Sequence, residues 1–231
     1  MLRNLIDRLA VLDEVDMSPL PLGIPGGGLT TPTASGASWG DFGIGFGFRP
    51  RLRYGNGADG AIGGVMGFGN PMSVGLDVGV TVLDVRSSRE GRGGFGRRGT
   101  FTFKAHRLLA EELSVAVAVE NALTWGGTNA PRGVYAVATK RFRLADSYRV
   151  PFSRLCISLG VGTGRFRTER QVARQEGTVG LFGSASVTLS RALVATIEWT
   201  GQDVGIGASL APFSGAPLNV TVGILDVAGI A

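Results

Sequence analysis

The chain has 231 residues, of which 44% are hydrophobic, only 18% are charged and 38 are glycine. That length suits one sizeable domain or one mid-sized barrel, the apolar content excludes a disordered chain, and glycine at this density disfavours a helical bundle, since each costs roughly 1 kcal/mol in a helix interior. The net charge of +5 comes from 23 basic and 18 acidic residues, all the basic ones except Lys104 and Lys140 being arginine, while a single cysteine (Cys156) and a single histidine (His106) exclude an internal disulfide and a cysteine- or histidine-rich metal cluster.

Residues 2–15 place Leu2, Leu5, Ile6, Leu9 and Leu12 at three- and four-residue spacing with charges between them, which predicts a short amphipathic helix over 1–16. Those charges interrupt any signal-type apolar core, so no ordinary secretory signal is expected in the chain as written. It also lacks the run of about 18 apolar residues that a membrane helix needs. Residues 17–38 are rich in Pro, Gly and Thr, have no period, and read as a linker or strand-entry segment.

From residue 39 to 231 the period is two. Phe42, Ile44, Phe46 and Phe48 alternate with glycines, Ile62, Met66 and Phe68 follow, and Val74, Leu76, Val78, Val80 and Val82 face away from Asp77 and Thr81. Similar runs begin at Phe101, Leu113, Leu155, Val179, Leu193, Val204 and Leu218, with residues 134–141 the weakest of the set. Turn signals between them suit hairpins, and longer loops are expected at 86–99, 123–133 and 163–177. The fold class is therefore all-β: an antiparallel up-and-down β-barrel, membrane-type, of about 10–12 strands, preceded by the helix.

Alternation alone fits a soluble sheet as well as a membrane barrel, and the second face separates them. Here it carries Gly, Ser, Thr and Ala with scattered charges, as a confined lumen would, whereas a soluble face would be rich in Lys and Glu. Trp39, Trp125, Tyr135, Phe152, Phe166, Trp199 and Phe213 gather at strand ends, where interfacial girdles would lie.

The segment Gly28-Leu29-Thr30-Thr31-Pro32-Thr33-Ala34, followed by a first alternating strand over 41–48, resembles the opening motif of YjbH-type outer-membrane β-barrels. That resemblance implies an outer-membrane location and a link to exopolysaccharide export. Val119-Glu120-Asn121-Ala122-Leu123-Thr124-Trp125-Gly126 and Trp199-Thr200-Gly201-Gln202-Asp203 resemble uncharacterised glycine-rich barrels of photosynthetic bacteria, a likeness that carries no activity.

Asp77, Lys104, His106, Glu120 and Glu198 fall on the small-residue face and are the lumen-lining candidates, either plugging the lumen or lining the narrow channel of a passive pore, which with a part in exopolysaccharide or envelope export is the expected function. Arg86, Arg89, Arg92, Arg97 and Arg98 in one loop, with Arg165 and Arg167 in another, form the candidate anion-attracting mouth. Arginine forks there suit acidic polysaccharide, lipopolysaccharide or lipid phosphate. The glycine strings at 55–60 and 94–99 do not open a helix after a buried strand, so no dinucleotide site is expected. The arginine loop's likeness to RNA-binding segments is outweighed by a solvated basic loop. His106 has no nucleophile elbow to serve, so no enzyme and no cofactor is expected. The expected partners are membrane lipid and, through residues 2–15, a second copy or an envelope protein. The alternative is a soluble β-rich assembly subunit that self-associates through strand edges and the helix.

Overall fold

The computed structural model describes residues 28–49, 59–83, 95–128, 130–147, 150–168, 171, 178–213 and 218–227. The expected helix over 1–16 and the arginines at 86, 89 and 92 lie outside these residues. Eleven strands are present: β1 (Phe42–Arg49), β2 (Asp59–Asn70), β3 (Val74–Leu83), β4 (Arg98–Ala110), β5 (Leu113–Trp125), β6 (Gly133–Arg143), β7 (Arg154–Gly162), β8 (Gly180–Ser190), β9 (Leu193–Trp199), β10 (Val204–Leu210) and β11 (Val220–Ile224). They make one sheet in strictly sequential order. This is the antiparallel up-and-down arrangement that the two-residue period predicts, and short turns such as Asn70 to Val74 leave no room for parallel crossovers. The weakest predicted segment is the full strand β6. Among the described residues, no helix is long and apolar enough to cross a membrane.

The chain divides into two compact units, one of Thr33–Thr139 with Leu159–Phe182, the other of Met1–Pro32, Lys140–Ser158 and Gly183–Ala231. In the first, Ser114, Ala116 and Ala118 of β5 and Tyr135, Val137 and Thr139 of β6 are buried, while Val117, Val134 and Leu159 between or beside them are exposed. β1 is the extreme case, with Phe42, Ile44 and Phe46 exposed to 75%, 80% and 64%. In the second unit Ser184, Ser186, Thr196, Glu198 and Ser209 are buried, and Ile197, Ile206, Val222 and Ile224 are exposed. Apart from Tyr135, Val137, Phe166 and Phe182 in the first unit and Val194 in the second, the residues that are buried are small or polar, and many large aliphatic and aromatic side chains are exposed.

Strand β3 keeps the predicted parity where it can be judged by burial: Val74 and Leu76 are exposed and Gly75 and Asp77 buried, the rest of the strand being intermediate on both faces. The girdle expectation needs correction at two aromatics. Tyr135 and Phe166 are 5% and 0% exposed and belong to an interior cluster with Phe182. Trp39, Phe152 and Phe213 are well exposed.

Candidate functional site

In the first unit the site begins with a cross-strand pair. Antiparallel register sets Asp77 of β3 directly opposite Lys104 of β4, and the two side chains form an ion pair of 2.8 Å. His106, two residues along the same face, places Nε2 at 3.1 Å from Asp77 Oδ1. The ring fits because its β3 neighbour is Gly75 and its β5 neighbour is Ala116. A Cβ on Gly75, or on Gly36 on the other side, would overlap it. This is a close approach that only glycine permits.

Gly36 belongs to residues 28–38, the aperiodic approach to β1, and from residue 34 these residues are fastened to the polar face by their main chain. The Ala34 amide donates to Thr139 Oγ1 at 2.8 Å, Lys104 Nζ donates to the Ser35 carbonyl at 2.7 Å, and the Ala37 amide donates to Asp77 Oδ1 at 3.0 Å. Ala34 is 1% exposed. The segment leaves the site by pairing with β2, where the Trp39 and Gly40 amides donate to the Gly69 and Gly67 carbonyls. Side chains of the sheet thus read peptide groups, and the buried charge of Asp77 and the half-buried charge of Lys104 are satisfied by one another and by the strand-entry segment.

In the second unit the same segment is held by Glu198 of β9. Its carboxylate accepts from the amides of Leu29, Thr30 and Thr31 at 2.8, 2.9 and 3.0 Å and from the Thr30 and Thr31 hydroxyls at 2.6 and 2.9 Å. Three successive amides turned on one anion make a nest, which compensates a buried carboxylate without a cation. The Leu29 side chain lies over Gly207 of β10 and Gly223 of β11, where a Cβ would crowd it.

A third feature closes the first unit. The loop after β7 turns in through the 3₁₀ helix Gly164–Phe166, stacking Phe166 on Phe182 at 4.1 Å, with Tyr135 edge-on to both at 5.7 and 5.9 Å. Gly162 and Gly160 leave the room that Phe166 and Phe182 fill. Arg165 grips Glu120 with two hydrogen bonds, of 2.9 and 2.8 Å, and lies 4.4 Å over the Phe166 ring. Glu120 begins a bulge in β5. Residues 120–122 stand opposite the single Thr102, with Asn121 in the left-handed region at φ 50 and its amide on Thr102 Oγ1.

The five lumen-lining candidates thus share the polar face of their own units: Asp77, Lys104 and His106 come together, Glu120 is joined by Arg165, and Glu198 is joined by residues 29–31. Of the candidate mouth arginines, Arg97 is exposed, Arg98 is half-buried, Arg165 is taken up by Glu120, and Arg167 donates to the Gly164 carbonyl at 3.1 Å. His106 is 3% exposed, with both Gly36 and Gly75 against its ring. Among the described residues no three His, Cys, Asp or Glu side chains converge as metal ligands. The functional residues that sequence reasoning missed are Thr30, Thr31, Ala34, Ser35 and Thr139. Thr30, Thr31, Ala34 and Ser35 were marked only by the Thr/Ala/Ser composition of the approach segment and the motif at 28–34, and Thr139 of β6 by nothing in the sequence. Comparison of the chain with family models, with curated proteins and with solved structures finds no match.

Proposed function

We propose that this chain is a membrane-embedded β-barrel of the bacterial outer membrane whose polar interior is filled at rest. Its role on this reading is that of a narrow conduit or scaffold in exopolysaccharide or envelope export, and not of a general diffusion pore. The observation that carries the reading is the reversed burial: Asp77, His106, Thr139, Ser158 and Glu198 lie at 6% exposure or less while Phe42, Ile44, Leu159, Leu181 and Val222 exceed 65%. Water would penalise that arrangement at about 25 cal/mol for each Å² of apolar surface left uncovered, whereas hydrocarbon would not. The strap at residues 28–38 and the inward turn at Phe166 support a filled interior, since both lie on the small-residue face.

The test is detergent dependence with heat-modifiable gel migration, followed by insertion into lipid vesicles. Detergent-dependent solubility with a fast-migrating unheated band is expected. Ready solubility without detergent would overturn the membrane reading in favour of an assembly subunit joined at the outer edges of β1 and β11, which have one neighbour each among the described pairings.

A further inference from the structure

We propose that the second unit holds one anionic phospholipid on the exposed face of β7–β11, with an acyl chain in an apolar furrow and the phosphate at the basic end of β6 and β7. Register builds the furrow. Ser186 pairs with Thr196, Thr196 with Gly207 and Gly207 with Gly223, so these four form one row across β8–β11, and Ser186 and Thr196 turn their side chains to the buried face. On the exposed face the main chain of that row is left bare between two flanking rows, Ile197, Ile206 and Ile224 on one side and Val187, Ala195, Ala208 and Val222 on the other. The space between them is a groove of about 680 Å³ that reaches Leu155 of β7.

Width and chemistry select the occupant. Rows two residues apart on a strand are separated by about 7 Å, which admits one hydrocarbon chain and not a helix of about 10 Å diameter. The outward side chains are Ala, Val, Leu and Ile, and the main chain beneath them is paired within the sheet, so the amides of a peptide or the hydroxyls of a sugar would go unpartnered. An acyl chain has no polar group to leave unpaired.

The charge lies at the Leu155 end. The Phe152 amide donates to the Thr188 carbonyl at 2.7 Å and the Leu144 amide to the Ser153 carbonyl at 2.9 Å, which sets the β6–β7 connection against the end of β8. Among the described residues of 140–158 and 183–193, Lys140, Arg141, Arg143, Arg154 and Arg191 stand against one acidic residue, Asp146, and Arg143 and Arg191 are exposed. Phe142 and Phe152 are exposed among them, and Lys140 Nζ lies 6.0 Å from the Phe142 ring centre. Phe152 keeps its place from the left-handed region, at φ 60, where a bulky side chain is strained. Cations interleaved with aromatics beside an apolar furrow match a lipid at its headgroup boundary, phosphate to the arginines and chain to the furrow. The site deepens the membrane reading, on which its supply of lipid rests.

The experiment takes the full-length protein in nonionic detergent, adds phosphatidylglycerol or phosphatidylcholine with the same acyl chains, and reads the first bound lipid by native mass spectrometry. Phosphatidylglycerol should bind at least tenfold more tightly. Arg143→Gln with Arg191→Gln should bring the two lipids within twofold of each other, and Ala195→Phe with Ala208→Phe, which fills the furrow, should weaken both at least fivefold. Equal binding of the two lipids to the unmodified protein overturns the proposal, and that comparison stands even where a variant does not fold. A furrow variant that binds phosphatidylglycerol as the parent does, or glycerol 3-phosphate that displaces the lipid at equal concentration, also overturns it, since a phosphate site without a furrow explains either. Detergent dependence decides the membrane reading separately. A protein that needs detergent yet shows no lipid preference loses this site alone, while one soluble without detergent that keeps a tenfold preference between the dihexanoyl forms of the two lipids loses the bilayer and retains the site.

Discussion

At Gly75 the absent side chain is what admits the His106 ring, whereas Gly45 in β1 has nothing within 4 Å of where a Cβ would sit. The same substitution should therefore have opposite weight at the two positions. Gly75→Ala is expected to cost about 1–3 kcal/mol, the usual range for overpacking a filled site, while Gly45→Ala should stay within about 0.5 kcal/mol of the parent. Urea midpoints of the folded form would check both, and equal midpoints would mean that His106 is not held between glycines. Glu198→Gln keeps the shape and removes the charge, setting an NH₂ group among three amides and two hydroxyls that all donate. It should lose about 1.5–3 kcal/mol, the range for hydrogen bonds to a charged group, read as a lowered midpoint together with faster exchange at residues 29–31. At this scale the sequence was informative about charge but silent about partners. Asp77, Lys104, Glu120 and Glu198 stand out on a small-residue face at a two-residue period. Their contacts to Ala37, Ser35, Arg165 and Thr30 span 40 to 168 residues of chain, and no local pattern encodes such a distance.

The strands were legible because burial on one face imposes a period that side chains must obey. β6 was the faintest for a reason the interior explains. Tyr135 and Val137 are apolar yet point to the polar face, where they pack with Phe166 and Phe182, so both faces of the strand read as apolar. The bulge at residues 120–122 was equally hidden, since two additional residues opposite Thr102 leave the alternation on either side intact. The element most open to test is β5, where Ala116 and Ala118 are buried and Val117 between them is 57% exposed. If Val117 faces hydrocarbon, Val117→Arg should cost about 2–4 kcal/mol near the midplane. Facing water, it would be nearly neutral. The fraction of protein that reaches the fast-migrating unheated form distinguishes the two, and an unchanged fraction would place this face in water.

For the molecule as a whole, the formal charge of +5 is concentrated in arginine, and the arginines differ in what they can do. Arg165 is held by Glu120 and stacked on Phe166, so its charge is compensated where it stands. Arg97 is exposed just before β4, in the stretch that also contains Arg86, Arg89 and Arg92 in sequence. Reversing the two kinds of arginine should therefore separate stability from binding. Arg92→Glu with Arg97→Glu is expected to leave the urea midpoint within about 0.5 kcal/mol, because exposed ion pairs contribute roughly 0–1 kcal/mol, while weakening the binding of a polyuronate at low salt. The effect should fade as salt rises, since the Debye length falls from about 30 Å at 0.01 M to about 8 Å at 0.15 M and the summed field of the loop no longer reaches the polymer. Arg165→Glu should do the reverse, setting a second carboxylate against Glu120 and lowering the midpoint with little change in the salt dependence of binding. Titrating polyuronate against the three proteins at two salt concentrations tests both halves. If Arg92→Glu with Arg97→Glu binds as tightly as the parent at low salt, the loop arginines are solubilising groups and the expectation that they attract an acidic polysaccharide fails, whatever the sheet does in a membrane.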